Sequence, residues 1–215
     1  MTRSSERDVV ISLHGLARSN LSMLVPHLML RRAGYEPRGI DYPSRQRSLQ
    51  ELAAYVRERL RDVGDRRVHV LTHSRGGLVA RCLLRDFRPA NLGRVVMLAP
   101  PNQGSRLAAG VRPRSLFKRL MGPAAEQMGD HVEHMEEVVG PVDFELGVIT
   151  GDRPLLPVNP FLEPPHDGRV RVDEARIEGM ADFLVVHRDH ALIMNDPRVV
   201  RQAIHFFENG EFDRS

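Results

Sequence analysis

Two hydrophobic rhythms alternate along the chain. Val9 to Leu13 (VVISL) is a short, nearly unbroken apolar run of the kind a strand shows when both its faces are buried. Leu21 to Leu30 then carries apolar residues at helical spacing, and Gly34 ends it. A second strand fits Pro37 to Tyr42. Ser48, with Glu51 three residues on, forms a capping-box pattern, and Leu49, Leu52, Ala53, Val56, Leu60 and Val63 follow on one helical face before Gly64. Val68 to Thr72 reads as a strand, Gly76 to Asp86 as a helix, and Val95 to Ala99 as a strand stopped by Pro100 and Pro101. Strands are expected again at Phe144 to Thr150 and Phe183 to His187. Asp196 and Pro197 cap and start a last helix carrying Val199, Val200, Ala203, Ile204 and Phe207.

Strands alternating with helices in this way predict an α/β fold with a mainly parallel central sheet and helices on both faces. The whole chain, 1–215, reads as a single domain. Regularity lapses from Gly104 to Pro141, apart from a helical stretch near Ser115 to Leu120, so 104–141 is expected to be a short insertion or cap.

Composition narrows the field. With 41% hydrophobic and 27% charged residues, the 215-residue chain has the make-up of an ordinary globular protein that folds without staples. Cys82 is the only cysteine, so no internal disulfide forms and no oxidising compartment is required. The segment from Met1 has no signal-peptide apolar core, and no apolar run approaches the ~20 residues that span a bilayer. A cytoplasmic location is therefore expected. The net charge of +3 raises the question of an anionic partner. Lys118 is the only lysine, the arginines are interleaved with acids, aromatics make up 5% and tryptophan is absent, which argues against nucleic acid and leaves room for a basic surface compatible with anionic lipid.

The chemistry concentrates at Thr72-His73-Ser74-Arg75-Gly76-Gly77, set between an apolar strand and a helical pattern. A serine on such a turn is lifted above the sheet at a helix N-terminus, as in the G-x-S-x-G nucleophile elbow, here with Thr72 in place of the first glycine. His14-Gly15-Leu16 ends the first strand. In a parallel sheet that loop can lie beside the elbow and aim the backbone N–H of Leu16, together with that of Arg75, at a carbonyl oxygen over Ser74, forming an oxyanion hole.

A serine hydroxyl needs an imidazole to take its proton and a carboxylate to orient that imidazole. Asp167, in the loop His166-Asp167-Gly168, and His190, in the loop after the Phe183 strand, are the best acid and base by chain order and loop placement. Asp152, Asp173 and Asp182 compete for the acid and His187 for the base. His73 adjoins Ser74 but diverges from it, and is read as a packing or supporting residue. His131 and His134, three apart, lack further ligands for a metal set. Cys82 is read as core.

These segments resemble the α/β-hydrolase lipases and esterases, in particular small bacterial triacylglycerol-lipase-like proteins. The resemblance is carried by ISLHGLARS from Ile11, VLTHSRGGLVAR from Val70, MLAPPNQGS from Met97, DGRVRVDEARIEGMADFLVV from Asp167 and HALIMNDPRVV from His190. It implies Ser74 as nucleophile, Asp167 as acid, His190 as base, Leu16 and Arg75 as oxyanion residues, and a pocket wall at APPNQGS. Thr72 and Arg75 depart from the family pattern, the latter placing a cation beside the site. The expected activity is hydrolysis of a small-molecule ester or lipid through an acyl-enzyme, with no cofactor or metal. Because 104–141 is too short for a large lid, short to medium acyl chains are expected. Acyl transfer, thioester hydrolysis and a non-catalytic binding module on the same fold are the alternatives.

Overall fold

A computed structural model of the chain describes residues 7–60, 63–104, 137–155 and 162–215. Six strands, β1 (Val9–Leu13), β2 (Glu36–Ile40), β3 (Val68–His73), β4 (Leu92–Leu98), β5 (Leu146–Gly151) and β6 (Asp182–Val186), form one sheet in the order β2-β1-β3-β4-β5-β6. Every pairing is parallel. β1, β3 and β5 are buried along their full length, which is why apolar residues recur on both of their faces, with a few buried polar side chains such as Ser12, His69 and Thr150 among them.

Among the described residues the helices are α1 (Leu24–Arg32), α2 (Leu49–Glu58), α3 (Gly76–Asp86), α4 (Val172–Ala175) and α5 (Pro197–Asn209). Alternate strand residues divide between two cores. Val9, Ile11, Leu13, Val70 and Met97 pack with α2 and α3, whereas Val10, Leu71, Val96 and Leu98 pack with α1 and α5 on the opposite face. α2 begins with the expected capping box between Ser48 and Glu51. At α5, Asp196 accepts from the Arg198 amide at 2.8 Å, Pro197 occupies the first turn, and Gly210, at φ 83°, ends the helix.

Some boundaries differ from expectation for identifiable reasons. A 3-10 turn at Asn20–Met23 precedes α1, so the helix starts at Leu24. Pro26 cannot donate a helical hydrogen bond and fits only within a first turn. α2 ends at Glu58 instead of running to Val63, because Arg59, Leu60 and Val63 donate to carbonyls three residues back, at Val56, Arg57 and Leu60. Cys82 is buried in α3. The expected helical stretch at Ser115 to Leu120, nearly all of the 104–141 insertion, and His131 and His134 lie outside the described residues.

The chain leaves β1 toward β2 on one side and returns to β3 on the other. The carboxyl ends of β1 and β3 therefore flank the switch point, where parallel sheets open a crevice.

Candidate active site

Ser74 stands at this switch point, one residue beyond β3, with φ at +53°. A serine there is strained by on the order of 1–3 kcal/mol and stays only where its surroundings hold it. Its amide donates to the Leu98 carbonyl at 2.8 Å, and its carbonyl accepts from the Gly77 amide at 2.9 Å. Gly76 lets α3 start against β1, since a Cβ there would sit 2.5 Å from the Leu13 carbonyl oxygen. Thr72, in the place of the motif glycine, is fully buried, with its hydroxyl toward Gly77.

The Ser74 hydroxyl and His190 Nε2 lie 2.9 Å apart, and His190 Nδ1 lies 2.7 Å from Asp167 Oδ2. With Nδ1–H donating to the carboxylate, Nε2 is left to accept the serine proton. The Asp167 side chain is wholly buried. Its second oxygen accepts from the amides of Arg169 at 2.9 Å and Val170 at 2.8 Å. The structure thus brings together Ser74, Asp167 and His190, 116 residues apart at the extreme. The competing acids are engaged elsewhere: Asp173 with Arg171, and Asp182 with Arg214 and the amides of Phe183 and Phe212. Asp152 holds His187 at 2.7 Å in a second Asp–His pair whose imidazole is largely exposed.

His73 packs against His190, with ring centroids 5.0 Å apart. Its Nε2–H donates to the His190 carbonyl at 2.9 Å. Burial holds its pKa well below the ordinary histidine value, and the nearby His190 pushes the same way, as do the Arg18 and Arg169 charges, so it is neutral.

The loop after β1 rests directly on the elbow. A Cβ at Gly15 would lie 2.8 Å from His73 Nδ1 and 3.3 Å from Ser74 Cβ, so the glycine permits the close approach of this loop to the elbow. Among the described residues, no protein acceptor pairs with the amide of Leu16 or of Arg75. Two residues that the sequence reading did not single out hold this loop. Tyr42 stacks on the His14 ring, with centroids 4.2 Å apart, and its hydroxyl donates to the His14 carbonyl. Ser44 Oγ accepts from the amide of Ala17, itself at φ +56°. Arg18 Nη2 reaches across to the Ala191 carbonyl at 3.2 Å, joining this loop to the one that carries His190.

One expectation is corrected. The Arg75 guanidinium does not present a cation to the site, because the residue is 1% exposed and donates to the Arg47 carbonyl at 3.2 Å. Burial lowers its pKa to about 10. The expected pocket wall at APPNQGS is tied down from behind, since buried Arg81 donates to the Asn102 carbonyl and Asn102 Nδ2 donates to the Ala175 carbonyl at 2.8 Å.

Two surface cavities lie away from Ser74. One, of about 320 Å³, lies between β6 and α5, and the other, of about 510 Å³, lies between the end of α2 and the start of β4. Among the described residues, no three His, Cys, Asp or Glu side chains gather as a metal site. No helix of these residues is long and apolar enough to cross a membrane.

Residues 39–142, just under half of the chain, match a family described as a domain of unknown function, DUF7379. No curated protein matches. Among solved structures, the mature form of Bacillus licheniformis lipase BlEst2 is similar, with 18% identity, a TM-score of 0.74, and 97% of this chain and 94% of that one covered. The metagenomic carboxyl esterase MGS0156 is similar at 16% identity and TM-score 0.74, over 88% of this chain and 66% of that one. Phospholipase PlaB from Legionella pneumophila, solved with thio-NAD, is similar at 19% identity and TM-score 0.72, over 92% of this chain, which spans only 56% of that one. The chain has the α/β-hydrolase fold.

Proposed function

We propose that this protein is a serine hydrolase of carboxylic esters, with Ser74 as nucleophile, His190 as general base and acid, Asp167 as the carboxylate that orients it, and the amides of Leu16 and Arg75 as the oxyanion hole. The observation that carries this reading is the continuous hydrogen-bond relay from Ser74 Oγ through His190 to Asp167, at 2.9 and 2.7 Å. Structures titled lipase, carboxyl esterase and phospholipase share the fold, which agrees with it.

Ser74 Oγ attacks the ester carbonyl carbon while His190 Nε2 takes the hydroxyl proton. The carbonyl oxygen gains negative charge between the Leu16 and Arg75 amides, where each donor is worth on the order of a hundredfold or more in rate. His190 then protonates the leaving alkoxide, the C–O bond breaks, and an acyl-serine remains. Water, deprotonated by His190, attacks the acyl carbon. Collapse of that intermediate releases the acid and returns the proton to Ser74. Residues 1–215 are read as one catalytic unit acting on short to medium acyl chains.

The test is hydrolysis of a chain-length series of p-nitrophenyl esters by the native protein and by Ser74→Ala, with fluorophosphonate labelling of both. Turnover that peaks at short or medium chains, together with loss of both turnover and labelling in Ser74→Ala, is the expected result. A native protein that neither turns over nor labels would overturn the reading in favour of a binding module.

A further inference from the structure

Four large leucines stand in water along the 3-10 turn, α1 and the loop after His190, starting at the carboxyl end of the sheet and running down its side. Leu21 is 75% exposed, Leu24 50%, Leu28 45% and Leu192 50%. The first three lie at spacings of three and four along the 3-10 turn and α1, and so form one stripe. Leu192 lies two residues beyond His190, just before the 3-10 turn Ile193–Asn195, which packs against both of those elements. The stripe therefore continues to the rim of the site, and Arg18, bonded to the Ala191 carbonyl, closes the seam between the two loops.

The segment that carries most of the stripe is basic. From Val9 to Tyr35 the chain contains no aspartate or glutamate, although the protein carries 28 acids, and the same stretch holds Arg18, Arg31 and Arg32. Arg31 and Arg32 are exposed at the end of α1, one turn beyond Leu28. Arg169, two residues past Asp167, adds a further exposed cation near the mouth. Two acids touch this surface and both hold backbone: Asp41 has an oxygen 2.5 Å from the Asn20 amide, and Asp189 Oδ1 accepts from the amides of Ala191 and Leu192 at 2.9 and 3.1 Å. Exposed leucines on a segment whose own charges are all arginines match an anionic lipid surface, which offers hydrocarbon beneath a layer of negative headgroups. A soluble protein partner with an acidic groove would match the charge but would not account for the stripe's position at the rim of a site that takes esters.

We infer that Leu21, Leu24, Leu28 and Leu192, with Arg31 and Arg32, dock the protein on an anionic phospholipid bilayer and bring the mouth of the Ser74 site to the membrane surface. This rests on the ester-hydrolase reading for its purpose but not for its test, because docking does not require Ser74.

The experiment is co-sedimentation with vesicles of phosphatidylcholine alone and of phosphatidylcholine containing about 30% phosphatidylglycerol, at low and high salt. It uses the native chain, Ser74→Ala, Leu21→Ser with Leu24→Ser, and Arg31→Gln with Arg32→Gln. All the side chains changed are at the surface, and matching thermal melts show that the variants fold. The native protein and Ser74→Ala are expected to bind the anionic vesicles equally and the neutral ones weakly. The leucine variant should lose binding by more than about tenfold. The arginine variant should lose about tenfold on anionic vesicles only, and added salt should weaken the native protein similarly. Vesicle binding without esterase activity would keep the docking and remove the hydrolase reading. Absence of native binding to either vesicle, or undiminished binding by the leucine variant, would overturn the docking. So would native self-association in analytical ultracentrifugation that the leucine variant abolishes, since a second copy would then occupy the stripe.

Discussion

Asp167 and His190 are joined twice: the His190 backbone amide donates to the Asp167 carbonyl at 2.9 Å, and the His190 ring donates to the Asp167 carboxylate at 2.7 Å. The two loops are thus a single unit whose imidazole is aimed before any substrate arrives. Asp167→Asn would set an amide N–H against Nδ1–H and drive the imidazole to the tautomer that cannot accept from Ser74. Esterase kcat should fall by about 10⁴, with little change in melting temperature. A variant retaining a tenth of native kcat would show that the carboxylate is dispensable.

His73 holds the same unit. His73→Phe keeps the bulk but leaves the His190 carbonyl without its donor, at a cost of about 1–3 kcal/mol. Both the thermal midpoint and kcat should drop, kcat by about tenfold, and His73→Gln, which restores an N–H, should recover part of each. Equal behaviour of the two variants would mean that the hydrogen bond does not position the base.

Much of this arrangement can be read from the sequence, and what cannot has physical causes. VVISL and the Val68, Val70 and Leu71 positions of VHVLTH are apolar because both faces of β1 and β3 are covered, so the strands, and the turns at His14 and Ser74, stand out. Chain order and a loop Asp-Gly pick out Asp167. Tyr42 and Ser44 do not stand out, because they reach the His14–Ala17 loop only through the pairing of β2 beside β1, which no local pattern encodes. The direction of the Arg75 side chain is likewise a matter of packing: the backbone that offers an amide to the site sends the guanidinium away from it. Asp152 and His187 form a sound hydrogen-bonded pair from plausible residue types, and only three-dimensional distance separates that pair from the serine.

Gly15 and Gly76 are where loop, elbow and first strand touch. Gly76→Ala drives a methyl into the Leu13 and His14 carbonyls, at 2.5 and 2.9 Å, which are backbone atoms and cannot swing aside. A loss of about 1–3 kcal/mol in urea unfolding is expected. Gly15→Ala meets His73 and Ser74 side-chain atoms instead, so its larger effect should be on kcat, through displacement of the Leu16 amide. If Gly76→Ala is as stable as the native protein, the close approach of α3 to β1 is not tight.

Acid should destabilise the fold well before the carboxylates protonate. Burial lowers the pKa of His69 to about 4, and that of His73 well below 6.5, whereas both titrate near 6.5 when unfolded. Below pH ~6.5 the unfolded chain binds protons that the native chain refuses, so unfolding free energy falls as pH falls. Between pH 6 and 5 His69 alone should cost about 1 kcal/mol, with His73 adding in the same direction, read from urea midpoints, and His69→Gln should flatten the slope. Stability that stays level from pH 6.5 to 5 would contradict the neutral burial of both.

The order of strands in the sheet also has a consequence in time. β4, β5 and β6 are added to one edge in the sequence in which they are synthesised, so the serine's half of the sheet can form while the residues carrying the imidazole are still unmade. Until β5 and β6 are laid down, Asp167 and His190 have no frame to stand on, and the Ser74 hydroxyl is no more reactive than any alcohol. A nascent chain would thus stay chemically silent until β6 and the loop that follows it are in place, and reactivity would switch on only then.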